Sequence, residues 1–96
     1  MTITHIVIFT WRDSVTSAEI AELEQALDRM AADMADLVTI RHGPDLRFRE
    51  GNSDYALVAT LIDRAAWDAY QEDPRHKAFV RDFVTPLAAS RVAVQF

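Results

Sequence analysis

The sequence predicts one α+β domain. Its elements run β-α-β-β-α-β, and they fold into an antiparallel sheet with the helical segments on one face. Three observations carry this prediction. Thr2–Trp11 and Tyr55–Ile62 alternate like strands yet are largely apolar on both faces, so both faces need cover. Ile20, Leu23, Leu27, Met30, Met34 and Leu37 fall at intervals of three and four, the stripe of an amphipathic helix. A second helical region is split at Asp73-Pro74.

In the first strand, Ile3, His5, Val7, Phe9 and Trp11 share one face, and Thr4, Ile6, Ile8 and Thr10 the other. Arg12 to Val15 turns the chain. Thr16 and Glu19 have the spacing of a capping box and open the first helix. Leu37 to Arg41 is a short β-branched run that predicts the second strand, which His42-Gly43-Pro44 is expected to break. Arg49 to Asp54 carries Gly51, Asn52 and Ser53 and reads as a turn. Tyr55–Ile62 is the third strand, and Asp63 caps the helix that follows.

That helix carries Trp67 and Tyr70 and stops near Glu72. Pro74 cannot lie inside a helix, because its ring clashes with the preceding turn and it has no N–H. It suits the first position of a new helix, where that N–H would be unpaired anyway. Asp73 is placed to cap this second segment, which is expected to continue to about Thr85 with His76 in its first turn. Pro86 ends it, and Ser90 to Gln95 forms the last strand, with Val92 and Val94 on one face. This order folds most naturally as a ferredoxin-like sheet. The helix-free face, expected to include Val7 and Phe9, is then left bare, and a bare apolar face of that size implies a partner subunit.

Composition narrows the function. The 96 residues make one domain and hold no cysteine, so disulfide and thiolate chemistry are excluded. A net charge of −5 argues against non-specific nucleic-acid binding. No apolar run approaches a membrane span and no basic region precedes the apolar N-terminus, so the expectation is a cytoplasmic protein with no membrane partner. His5, His42 and His76 are far apart and lack a ligand spacing, so no metal site and no cofactor is expected. No Gly-x-Ser-x-Gly elbow is present.

The stretch with chemical content is Trp67 to Phe79. His76, at a helix start, is favoured as a neutral imidazole and so as a general base. Tyr70 can donate a hydrogen bond to a substrate oxygen. Each has a plain structural alternative: a half-buried packing histidine, and a core tyrosine whose hydroxyl finds a backbone partner. Trp67 reads as packing beside them, with Phe79 just beyond. His5 points wherever Val7 and Phe9 point, and lines a cavity if that is the interior.

The opening Ile3-Thr4-His5-Ile6-Val7-Ile8-Phe9-Thr10-Trp11, together with Tyr70-x-x-Asp73-Pro74-x-His76-x-x-Phe79, resembles the stress-responsive dimeric α+β barrel (Dabb) family over essentially the whole chain. The resemblance implies a homodimer whose two sheets pack into a barrel, each subunit enclosing a small cavity. It implies His76 and Tyr70 as catalytic candidates, with His5, Val7, Phe9, Trp67 and Phe79 lining a substrate site. One member of the family, olivetolic acid cyclase, closes a linear polyketide by aldol chemistry with a histidine and a tyrosine in the equivalent stretch. Measured against that cyclase, Val94 stands at the position of a last-strand aspartate that orients the catalytic histidine, and Ala56 at that of a third-strand histidine. A backbone carbonyl or another acid would have to hold the other nitrogen of His76. The expected function is thus a cofactor-independent, cyclase-like proton-transfer enzyme acting on a small apolar oxygenated molecule. The alternative is a non-catalytic small-molecule-binding or stress-protective dimer, whose sign would be a filled or sealed interior.

Overall fold

Residues 1–96 are described by the structure, a computed structural model. Strand β1 (Ile3–Trp11) leads to helix α1 (Ser17–Asp33), then β2 (Thr39–Pro44) and β3 (Tyr55–Leu61). Helix α2 (Arg64–Glu72) and helix α3 (Pro74–Phe79) meet at Asp73, and β4 (Ala88–Gln95) ends the chain. The four strands form one sheet in the order β2-β3-β1-β4, and the pairings β1–β3, β1–β4 and β2–β3 are all antiparallel. This is the ferredoxin-like arrangement, with the helices on one face.

Local chemistry sets the helix boundaries. Thr16 accepts from the Glu19 N–H at 3.2 Å, and the Glu19 carboxylate accepts from the Thr16 N–H at 3.0 Å, a reciprocal box that satisfies two orphan donors. Thr16→Ala should therefore cost about 1 kcal/mol of stability, read as a lower urea midpoint with an unchanged slope. Asp63 caps α2 by accepting from the Ala66 N–H at 2.8 Å. Asp73 closes α2 and caps α3, accepting from the Arg75 N–H at 2.8 Å, with Pro74 in the first turn. The second helical region does not run on as one α-helix. Val80–Val84 is a π-helical turn in which the Thr85 N–H reaches back to the Val80 carbonyl, and Thr85–Leu87 adds a last helical turn. Such turns widen a helix locally and recur at functional sites.

Two strand boundaries differ from expectation. β2 begins at Thr39 and continues through His42-Gly43-Pro44 instead of breaking there. Pro44 is tolerated because β2 is an edge strand, where a missing N–H breaks no ladder. β4 begins two residues early, at Ala88, and its register shifts between the pairs Trp11–Ala88 and Thr10–Ser90.

The register also decides which face is covered. Val7 pairs with Leu57 and Phe9 with Tyr55, and these belong to the face that packs on the helices. Phe9, Tyr55, Leu57, Ala59 and Leu61 join Leu23, Leu27, Met30 and Met34 of the α1 stripe in the core. The expectation that Val7 and Phe9 lie on the bare face is therefore wrong. The bare face carries Ile6, Ile8, Val58, Val92 and Val94, and Ile8, Val92 and Val94 are 38%, 64% and 53% exposed in the single chain. Both faces of β1 are apolar, so alternation alone did not say which one the helices would take.

Candidate functional site

The helix face of the sheet and the α2–α3 junction enclose a cavity of about 640 Å³. Its floor is His5, Val7 and Phe9 of β1 with Leu57 of β3, and its roof is Tyr70, Gln71, His76, Phe79 and Val80. Val84, the last residue of the π-turn, and Thr85 after it extend the roof, so the widened helix is part of the wall. Arg91 and Ala93 of β4 close one side.

The junction sets the geometry. Pro74 begins α3, so Tyr70 and His76 follow different helical axes and meet. Their ring centroids are 4.3 Å apart, with planes tilted by 48°. Tyr70 is buried, and desolvation pushes its phenol up to about 12, so it stands as a neutral donor at neutral pH. Burial holds the His76 imidazole below its ordinary 6.5; His5 and Arg91 push in the same direction, while the Gln71 carbonyl and Asp73 oppose them. His76 Nδ1 is buried without a hydrogen-bond partner. Asp73 is itself engaged by the Arg75 guanidinium, which holds its carboxyl down at about 2.

His5 lies under this pair, its ring 6.4 Å from that of Tyr70 and 6.3 Å from that of Trp67, both edge-on. Its Nδ1 is 2.7 Å from the Gln95 side-chain amide, and burial lowers its affinity for a proton. Of the sequence-selected residues, His76, Tyr70, His5, Val7, Phe9 and Phe79 line the cavity. Trp67 does not. It packs beyond His5, with the Arg64 guanidinium 5.3 Å above its ring, and its Nε1 is buried without a partner.

The two departures noted from the cyclase pattern look different in three dimensions. Val94 pairs with Ile6 on the bare face, so its side chain does not reach the cavity. The neighbouring β4 residue on the opposite face is Gln95, paired with His5, and it holds His5 instead of His76. Ala56 pairs with Ile8 on the bare face, and the β3 residue that enters the wall is Leu57. Arg91, Gln95 and Gln71 were missed by the sequence reading. The period-two count that grouped Val92 with Val94 also groups Arg91, Ala93 and Gln95 on the opposite face, and following it would have found two of the three.

A second polar chain lies at the far edge of the same face. His42 joins the Tyr55 hydroxyl through Nδ1 and the Asp28 carboxylate through Nε2, each at 2.7 Å, and so ties β2 to α1. No three His, Cys, Asp or Glu side chains form a group able to hold a metal ion. No helix is long and apolar enough to cross a membrane.

Two imidazoles with lowered proton affinity, His5 buried and His76 half-buried, make stability depend on pH. Each takes up its proton more readily in the unfolded chain than in the folded one. The contribution of His5 and His76 is therefore fully present above the unfolded value near 6.5 and is lost as pH falls through their lower folded values. Melting temperature should fall as pH drops below about 6.5, and the His5→Phe, His76→Phe double variant should show a flatter profile over that window.

Comparison with known proteins agrees with this architecture. A crystallised dimeric ferredoxin-like protein of unknown function from Thermobifida fusca is 38% identical over 100% of this chain and 90% of its own, with a TM-score of 0.92. A hydroxynitrile lyase from Passiflora edulis superposes with a TM-score of 0.84 at 17% identity, covering 99% of this chain and 91% of its own. SnoaB, a cofactor-independent oxygenase from Streptomyces nogalater, gives 0.69 at 23% identity over 99% and 90%. These last two share the fold. The dimeric description of the Thermobifida protein, together with the bare face of the sheet, supports a homodimer. No curated protein matches the chain in sequence. The family model for the stress responsive A/B barrel domain matches residues 3–96, and the chain belongs to that Dabb family.

Proposed function

We propose that this protein is a cofactor-independent, cyclase-like proton-transfer enzyme, acting on a small and largely apolar carbonyl compound. The observation that carries this reading is the Tyr70–His76 pair, ring centroids 4.3 Å apart, on the wall of one cavity. Burial keeps the His76 imidazole below its ordinary value, so it can serve as the base in its neutral form. It removes the proton alpha to the substrate carbonyl. The C–H electron pair becomes the C=C bond of an enolate, and the carbonyl π pair moves to oxygen. The Tyr70 hydroxyl donates to that oxygen as charge develops. The nucleophilic carbon then attacks a second carbonyl of the same molecule, a C–C bond forms, and the new alkoxide takes the proton back from His76. No oxidant or reductant is needed.

The first half of this sequence is testable without the natural substrate. In D₂O, the protein should accelerate deuterium uptake alpha to the carbonyl of an apolar aryl ketone such as butyrophenone, followed by proton NMR. The rate should rise with pH through an apparent value below 6.5 and then level off, because neutral imidazole is the active form. Butyrophenone binding without any acceleration would leave a small-molecule container and end the catalytic reading.

A further inference from the structure

The cavity's charge is at odds with that of the chain. The protein is acidic, with fifteen Asp and Glu against ten Lys and Arg. Not one of those acids lines the cavity, whereas Lys77, Arg81 and Arg91 all do, and all three are exposed at its rim. They are not equivalent. The Lys77 ammonium is 2.9 Å from Glu72, and the Arg81 guanidinium 2.8 Å from Asp82. Arg91 makes no ion pair with any carboxylate of the chain.

Its position is set by the sheet. Arg91 pairs with Phe9 across β1–β4, which puts it on the cavity side, four residues along the strand from the Gln95 that holds His5. It is close enough to His76 to help hold that imidazole neutral. An unpaired cation at the rim of a largely apolar, acid-free cavity is suited to pairing with an anion, and a guanidinium fork engages a carboxylate with two parallel hydrogen bonds. We infer that Arg91 is a specificity-determining residue that anchors a carboxylate at one end of the ligand, so that the site takes amphiphilic carboxylic acids with an apolar body. This rests on the proposed function, since it fixes a second point of the molecule whose carbonyl is held at Tyr70 and His76. The apolar body would lie along Val7, Phe9, Phe79 and Val80.

The test uses two stable, nearly isosteric probes, 4-butylbenzoate and 4-butylbenzamide, titrated by calorimetry, with the His76 imidazole resonances followed by NMR. The benzoate should bind at least 10-fold more tightly than the benzamide, and both should shift His76. Arg91→Met should bring the benzoate down to the level of the benzamide and leave the benzamide unchanged. Arg81→Gln should keep the preference, because that cation is already paired. Rising salt should weaken the benzoate alone. Equal binding of the two probes at His76 would overturn the anchor and leave the site's proposed chemistry standing. A preference that survives Arg91→Met, or is lost in Arg81→Gln instead, would overturn the assignment of Arg91. Probes that bind without touching His76 would overturn both readings.

Discussion

His76→Ala should reduce alpha-proton exchange by about 10² to 10⁴, the range a positioned general base supplies, while the dimer stays folded. The fold is expected to survive because His76 is half-buried in the roof and makes no side-chain hydrogen bond that another element depends on. Tyr70→Phe should also lose activity, by about 10², because the enolate oxygen would face a ring edge in place of a donor. Its effect should fall on kcat more than on KM if the hydrogen bond strengthens as charge develops. The phenol is neutral over the working range, so Tyr70 should add no break to the pH profile below about 10. The single break should belong to His76 and lie on the acid side. Full activity in His76→Ala would remove the base from the mechanism. Loss of the fold in His76→Ala, seen as lost near-ultraviolet dichroism, would make the histidine structural.

The second large effect is expected on assembly. Ile8→Asp should give aggregated or unfolded protein where the unmodified chain gives a homodimer. Ile8 is central on the bare face, pairing with Ala56 and Val92 in the same layer as Ile6, Val58 and Val94. An interface built there should resemble a core cut in half and exceed about 1,000 Å² of buried surface. Two-fold symmetry would bury the new carboxylate twice, and each unpaired buried charge costs several kcal/mol. Without its partner the sheet would expose Ile8, Val92 and Val94 to water, which favours non-specific association over a clean monomer. Val7→Asp is the control. Val7 lies on the cavity side, so that charge should alter ligand binding and leave the association constant within a few fold. A monomer of the unmodified protein at micromolar concentration, seen by light scattering, would sink the homodimer, as would an unperturbed dimer of Ile8→Asp.

The element order was legible because it rests on local rules. The α1 stripe, the Thr16–Glu19 box, the Asp63 cap and the Asp73-Pro74 break are each set by residues within a few positions of one another, and each is present in the structure. The same rule brought Tyr70 and His76 together, since a proline at the first turn of a helix releases the chain from the previous register. Three things depended on longer range. Whether the helices covered the Val7–Phe9 side or the Ile6–Ile8 side was undetermined in a strand apolar on both faces, and only the packing of Leu23, Leu27 and Met30 against Phe9 and Leu57 decided it. The partner of His5 and the free guanidinium of the cavity came from the register of β4 against β1, in which a shift of one residue exchanges Gln95 and Arg91 for Val94 and Val92. The lowered proton affinity of His76 came from burial, with His5 and Arg91 adding to it, a sum over groups that the chain separates by as many as 86 positions. The sequence by itself thus determined which elements form and where the second helical region breaks. The tertiary structure decided which face became the cavity and which charges were brought to it, because burial and field belong to the assembled fold and not to any one segment.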